Sequence, residues 1–284
     1  MNVPNGTIKA NVQAALEEDL GPGDIHVSLP SDDSDRHGTI IARSHGVLCG
    51  AEWANEAYRQ VSEQVDVDWA KVDGETIEPS SLIATISGPV SALLAVERTA
   101  LNFLQLLSAT ASQTRRFVHL IEHTQARVLD TRKTVPGLRL AQKYAVRMGG
   151  GNNHRIGLFD AFLIKENHIA ASGSISNAVS RARMAHPDMF IEVEVENLEE
   201  LDHALQCDVD RIMLDNFKIL QLREAVRISR SFSNLRRKAV ELEASGGISE
   251  SNVVQVAETG VHFISLGTLT KDISAIDFSF RIQS

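Results

Sequence analysis

Three carboxylates alternate through Ile191-Glu192-Val193-Glu194-Val195-Glu196, so Glu192, Glu194 and Glu196 share one face if this stretch is a strand. At a sheet edge that face would lie in water. Inside a sheet covered on both sides it would be costly unless the acids met a metal, hydroxyls or cations. Glu194 and Asp215 supply hard oxygens suited to magnesium, bound directly or through water and substrate. The bases are segregated elsewhere. Between Arg132 and His168 lie seven Lys/Arg against two acids, whereas Ile191 to Asp215 holds nine acids and one base, Arg211. Arg132, Arg155 and Lys165 can pair with carboxylates, the guanidinium groups bidentately. His154, beside Arg155, reads either as a donor to substrate or as a satisfied loop histidine. Two glycine turns follow, Ser245-Gly246-Gly247 and Ser265-Leu266-Gly267. Each alone is an ordinary loop; as a pair they present free backbone N–H groups of the kind that hold phosphate. Cations, then carboxylates, then glycine turns describe a site for small polyanions.

The elements that must carry these groups follow from hydrophobic periodicity. From Arg127 onward, strands are predicted at Val128-Leu129, Ala161–Ile164, Phe190–Val195, Arg211–Leu214, Ala239–Leu242 and His262–Leu266. Helical patterns fall at Leu138–Met148, Ser174–Ala185, Leu198–Gln206, Leu220–Ser229 and Ser249–Glu258. This alternation means a parallel sheet, and its six-fold repetition favours a barrel, incomplete at some point, over a doubly wound sheet. No Gly-x-Gly-x-x-Gly follows any of these strands. In such folds ligands bind at the carboxyl ends of the strands, where all the groups above fall. Within the basic segment, Arg139, Lys143 and Arg147 repeat every four residues and read as a solvated helix face. The run Gly149-Gly150-Gly151-Asn152-Asn153 is either a helix cap or a segment that closes over the site. The first hundred residues have another texture. A helix over Asn11–Asp19, a helix over Ala51–Gln64 and short β runs suggest α+β with an antiparallel sheet. One long apolar helix runs from Val90 to about His123, interrupted by Glu97-Arg98, which spacing alone reads as an internal ion pair or a snorkelling side chain.

Bulk properties exclude several classes. With 284 residues, 43% apolar and 23% charged, the chain suits one or two globular domains. A net charge of −9 argues against nucleic acid or an anionic membrane as partner. The start, Met1 to Gly6, shows no secretory signal, and no stretch nears the roughly 18 uninterrupted apolar residues of a spanning helix, so a cytoplasmic enzyme is expected. Cys49 and Cys207 are distant from one another and read as packed thiols in a reducing compartment.

At these residues the sequence resembles the quinolinate phosphoribosyltransferases. The resembling segments are Glu18 to Asp24, Glu97 to Asn102, Asp130 to Gly137, Gly149 to Arg155, Leu163 to His168, Glu192 to Asn197, Met213 to Asn216 and Glu243 to Ile248, in the family's order. The resemblance implies an N-terminal α/β sandwich with the linking helix, residues 1–110, and an incomplete parallel α/β barrel, residues 111–284, whose last residues can rejoin the first domain. It implies transfer of a phosphoribosyl group from phosphoribosyl pyrophosphate to quinolinate with loss of carbon dioxide, assisted by Mg2+, in a homodimer. By resemblance Thr131, Arg132, Arg155 and Lys165 hold quinolinate with His154 nearby, and Arg98 reaches in from the partner subunit. Lys133 meets phosphoribosyl pyrophosphate, Glu194 and Asp215 its ribose and metal, and Ser245, Gly246, Gly247, Ser265, Leu266 and Gly267 its phosphate. Two rivals remain: a relative acting on another acceptor, which would need fewer cations, and a non-catalytic phosphosugar sensor, which would need no carboxylates.

Overall fold

The computed structural model describes residues 3–30, 32–236 and 239–283. Met1 and Asn2, part of the segment read for a secretory signal, lie outside them. In chain order the elements are α1 (Asn5–Leu20), β1 (Asp35–Ala42), β2 (Gly46–Val47), α2 (Ala51–Val61), β3 (Asp66–Trp69), β4 (Thr76–Ile77), β5 (Leu82–Pro89) and α3 (Val90–Leu120). Then come β6 (Arg127–Leu129), α4 (Arg139–Met148), β7 (Phe162–Ile164), α5 (Glu166–Ser172), α6 (Ile175–Ala185), β8 (Ile191–Val195), α7 (Leu198–Leu205), β9 (Arg211–Asp215) and α8 (Ile219–Arg236). The last are β10 (Glu241–Ser245), α9 (Val253–Ala257), β11 (Phe263–Ser265), α10 (Thr268–Lys271) and β12 (Phe278–Ile282).

They form two compact units, Met1–Arg115 with Thr134–Gly150 and Leu269–Ser284, and Arg116–Lys133 with Gly151–Thr268. The first unit ends near the expected boundary and takes back the C-terminal residues, and it also takes in Thr134–Gly150. The reason is packing: Ala141 and Ala145 of α4, and Ile276, Phe278 and Phe280 near the C-terminus, belong to the apolar core built on α3. The rings of Trp53 and Tyr144 sit 5.6 Å apart in that core. By length and composition α3 could cross a bilayer, which counting uninterrupted apolar runs did not anticipate. Its Leu93, Val96, Leu101, Leu104 and Leu107 are instead buried in this core. Lys143 is also fully buried, so the Arg139, Lys143, Arg147 repeat is not a solvated face. The sheet of this unit is antiparallel, in the order β12-β1-β5-β3.

The other unit holds six parallel strands in the order β6-β11-β10-β9-β8-β7. This is the cyclic order of a β/α barrel with one unpaired seam, between β6 and β7. The chain leaves this unit after Lys133 and returns at Gly151, so no helix of its own follows β6. The glycine run leads into a short pairing with β6: Asn152 N–H donates to Val128 O (2.8 Å) and Asp130 N–H to Asn152 O (3.1 Å). That end of the run is anchored rather than a free flap. Helix α5, absent from the periodicity, starts directly after Lys165, whose N–H donates to His168 Nδ1 (3.0 Å).

Candidate active site

Alternate residues of a strand project to one side, so the register assigns the inner face. Glu192 lies beside Arg211 and Glu194 beside Met213; Met213 aligns with Glu243, Asp215 with Ser245, and Ser265 with Leu129. Glu192, Glu194, Arg211, Asp215, Glu243, Ser245 and Ser265 thus share the face opposite the helix-facing Val193, Val195, Ile212 and Leu214. Leu163 aligns with Glu192, which puts Lys165 on the same face, and the Lys165 ammonium is ion-paired with the Glu194 carboxylate. Strand β8 lies between β7 and β9, not at an edge, and Glu192 and Glu194 are only 1% and 8% exposed. Glu196 falls past the strand and is exposed, so the shared face holds two of the three expected carboxylates on β8.

Below the mouth, Glu192 and His154 belong to a row whose other members, Arg211 and Glu243, the motifs did not single out. Strand β10 runs to Ser245, three residues further than its apolar pattern, and this makes Glu243 a fully buried mid-strand residue. Glu243 lies 3.2 Å from Arg211 and 3.6 Å from His154 Nε2, and Glu192 lies 2.8 Å from that same nitrogen. Arg211 also pairs with Glu241 (2.9 Å), and its guanidinium stacks 3.9 Å over the Phe263 ring. Burial pushes Glu192 up to about 7 despite Arg211, and pushes Glu243 up to about 8, with the Glu192 charge adding to the rise. Relative to an ordinary carboxyl near 4.5 the folded state therefore binds the extra proton, so this row's contribution is fully present below 4.5 and is lost progressively as pH rises from there through 7 to 8. The melting temperature of the wild type is expected to fall across that interval, and Glu243→Gln to flatten the fall; parallel pH–melting curves check it.

Around the mouth, Asp130 is fully buried and accepts from the His154 N–H (2.9 Å) and from Asn153 Nδ2 (2.6 Å). His154 Nδ1 accepts the Arg155 N–H (2.7 Å). His154 Nε2 lies 2.8 Å from Glu192 as an ion-pair contact without an aligned hydrogen bond. Arg155 is half-buried; burial and then the neighbouring Arg132 charge lower its pKa, while Asp160, Glu192 and Glu194 oppose this. A partly desolvated guanidinium in the field of a second one favours an incoming anion. Arg132 and Lys133 are exposed at the end of β6, where Thr131 Oγ1 accepts the Lys133 N–H (3.0 Å). Gly267 lies against the Lys133 side chain: an added Cβ would come 2.9 Å from its Cδ.

The glycine turns close the ring. Ser245, Gly246 and Gly247 line a cavity of about 350 Å³ with Asn216, Lys218 and Ile248. No helix begins at Ile248; α9 starts at Val253, because Ser249 to Asn252 form a turn in which Asn252 Oδ1 accepts the Ser249 N–H (2.9 Å). The helix start that lines this cavity is therefore that of α8, at Lys218 and Ile219, and not that of α9. Both glycines need positive φ, +87° and +61°, yet only Gly246 packs against Asn216, whose Oδ1 an added methyl would strike; beside Gly247 there is open space. Gly246→Ala is expected to cost about 2–4 kcal/mol and Gly247→Ala about 1 kcal/mol, a difference that urea melts resolve.

One mouth thus gathers Lys165, Glu194, Asp215, Ser245 and Ser265 from neighbouring strands, with Thr131, Arg132, Lys133, His154 and Arg155 on the segments that follow β6. Arg98 belongs to the other unit. Asp130, Arg211 and Glu243 are additions; the signal for Glu243 was its even spacing from Ser245. Cys49 is buried and its thiol is pushed up by burial, consistent with a packed residue.

Residues 110–281 match the family model of the quinolinate phosphoribosyl transferase C-terminal domain and residues 25–108 that of the N-terminal domain. The chain is 40% identical to a probable nicotinate-nucleotide pyrophosphorylase (carboxylating) of Bacillus subtilis, covering 93% of this chain and 90% of that one. It is 39% identical to the nicotinate-nucleotide pyrophosphorylase (carboxylating) of Mycobacterium leprae, over 95% of both. A solved nicotinate-nucleotide pyrophosphorylase structure from Francisella tularensis superposes with a TM-score of 0.95 at 45% identity, over 99% of this chain and 98% of that one. Two domain models that meet near residue 109 and relatives matched along nearly their whole length make this chain a member of the quinolinate phosphoribosyltransferase family.

Proposed function

We propose that the barrel mouth joins quinolinate to phosphoribosyl pyrophosphate, giving nicotinate mononucleotide, pyrophosphate and carbon dioxide. The observation that carries this reading is the Lys165–Glu194 pair: a cation for an acceptor carboxylate touches an anion suited to the ribose, at the end of adjacent strands. Arg132, Arg155 and Lys165 hold the two carboxylates of quinolinate, helped by Thr131, and a charge-assisted bond of this type contributes about 1.5–3 kcal/mol. Lys133, Ser245, Gly246, Gly247, Ser265, Leu266 and Gly267 hold the phosphates. Pyrophosphate leaves ribose C1 with its bonding electrons, and the positive charge that develops there is stabilised by Glu194 and Asp215. The pyridine nitrogen lone pair then forms the new C1 bond. Its positive charge stabilises the electron pair left on the adjacent ring carbon when carbon dioxide departs, and that carbon takes a proton from water. A sensor would have no use for Glu194 beneath such cations.

The donor set also fits Mg2+. Glu194 and Asp215 are hard oxygen donors on neighbouring strands, and Mg2+ commonly takes one or two carboxylates together with waters and substrate phosphates. There it would neutralise charge on the departing pyrophosphate. Purified protein incubated with quinolinate, phosphoribosyl pyrophosphate and Mg2+ should release carbon dioxide and form nicotinate mononucleotide in equal amounts; absence of both products would overturn the reading.

The working form we propose is a homodimer in which each site receives Arg98 from the partner. In its own chain Arg98 is 57% exposed and, among the described residues, is ion-paired through a loose 3.9 Å contact with Glu97. Mixing Arg98→Ala with Glu194→Gln subunits should restore about one quarter of wild-type activity, because half the dimers are mixed and each has one intact site. No recovery after verified subunit exchange would place Arg98 in its own subunit's site.

A further inference from the structure

The mechanism above leaves a row of buried ionisable groups unused. Arg211, Glu243 and Glu192 sit on three adjacent strands, and both acids are almost wholly removed from water. Isolated charges in that position are expensive, and an apolar filling of similar volume is commonly at least as stable. Stability alone therefore gives no reason for the row. Its upper end does, because it terminates on the imidazole of His154, which is 9% exposed and whose Nε2 has Glu192 Oε2 at 2.8 Å as an ion-pair contact without an aligned hydrogen bond.

We propose that Arg211, Glu243 and Glu192 form a positioning device: they hold His154 with its proton on Nε2, so that Nδ1 accepts the Arg155 N–H and keeps the Arg155 guanidinium in place for the acceptor's carboxylates. The tautomer follows from geometry. A nitrogen that accepts a backbone N–H at 2.7 Å carries no proton, which leaves the ring's proton on the nitrogen facing Glu192. Arg211 is itself fixed by Glu241 and by stacking on Phe263, so it anchors Glu243 from below. From above, Asp130 accepts the backbone N–H of His154 and so fixes the base of its side chain. His154, Glu192 and Glu243 could together ligate a cation, but the guanidinium of Arg211 already lies 3.2 Å from Glu243. None of the three residues of the device needs to touch substrate. Each acts through the backbone of Arg155, and the inference rests on Arg155 serving the acceptor site.

Nitrogen-15 NMR of the histidine-labelled protein tests the tautomer without any turnover. The signal of His154 among the ten histidines is assigned from a His154→Gln spectrum. An unprotonated Nδ1 and a protonated Nε2 are expected, and the reverse pattern would overturn the proposal. Kinetics tests the consequence. Glu192→Leu should raise the quinolinate KM about 10- to 100-fold while the KM for phosphoribosyl pyrophosphate stays within about 2-fold, since a misplacement of about 1 Å is enough for such a loss. Glu192→Gln keeps an acceptor for Nε2–H and should recover most of the affinity. A folded Glu192→Leu protein with wild-type quinolinate KM overturns the proposal, as does one mole of tightly held metal per chain that disappears in Glu243→Gln. If the leucine variant does not fold, Arg211→Met and the wild-type spectrum decide the question. If Arg155→Ala leaves the quinolinate KM unchanged while the tautomer is as stated, the reading of the acceptor site is what fails.

Discussion

Arg155→Ala is expected to raise the KM for quinolinate by about 10- to 150-fold, the factor that corresponds to one charge-assisted hydrogen bond of 1.5–3 kcal/mol. The KM for phosphoribosyl pyrophosphate should move little. The expectation depends on how Arg155 is held. It is half-buried, its charge is opposed first by lost hydration and then by Arg132, and its N–H is tied to His154. Such a cation is unfavourable in the empty site and favourable once a dianion arrives, so substrate binding relieves the repulsion. The same argument gives a second, independent sign: because the charge is disfavoured before substrate arrives, its removal should leave the melting temperature unchanged or slightly higher, as stability is commonly traded for function in active sites. Arg155→Lys should not restore affinity in full, because an ammonium lacks the planar fork that grips a carboxylate. Initial-rate kinetics in each substrate together with a thermal melt check all three statements. A wild-type quinolinate KM in Arg155→Ala would remove Arg155 from the acceptor site.

The barrel was legible from periodicity because each strand alternates or runs apolar between helices with clear spacing; all six appear, and the acids at 192 and 194 point inward as their alternation requires. What was not legible has physical causes. The helix expected over Asn11–Asp19 begins already at Asn5, because Ile8, Val12 and Leu16 at four-residue spacing bury one stripe in a core that also includes Phe280. Lys143 reads as a solvated charge, since nothing local distinguishes it from Arg147; its burial is set by tertiary packing of α4. The pattern after β6 reads as one more β/α repeat, but its helix packs in the other unit, and sequence periodicity carries no information about which core a helix joins. Glu243 was hidden by the ordinary rule that a glutamate ends an apolar strand. Only the register, which aligns it with Met213 and Phe263, shows that its side chain is enclosed.

Glu194→Gln is expected to lower kcat about 100- to 1000-fold with little change in the quinolinate KM, the range typical of removing one preorganised electrostatic contact to a transition state. The carboxylate faces a barrel interior at 8% exposure, where its field is poorly screened, and its partner is the Lys165 ammonium. In the free enzyme that pair is self-neutralising. When an acceptor carboxylate engages Lys165, the negative charge of Glu194 is less compensated and becomes available to the positive charge developing at ribose C1. Binding of the acceptor thus strengthens the group that assists departure of pyrophosphate. This coupling has a measurable form. Lys165→Met alone should raise the quinolinate KM and also lower kcat, whereas adding it to Glu194→Gln should cost less in kcat than the two single effects combined, since residues acting as one unit are not additive. Strict additivity in kcat across this double-mutant cycle would separate the two residues and confine Lys165 to binding.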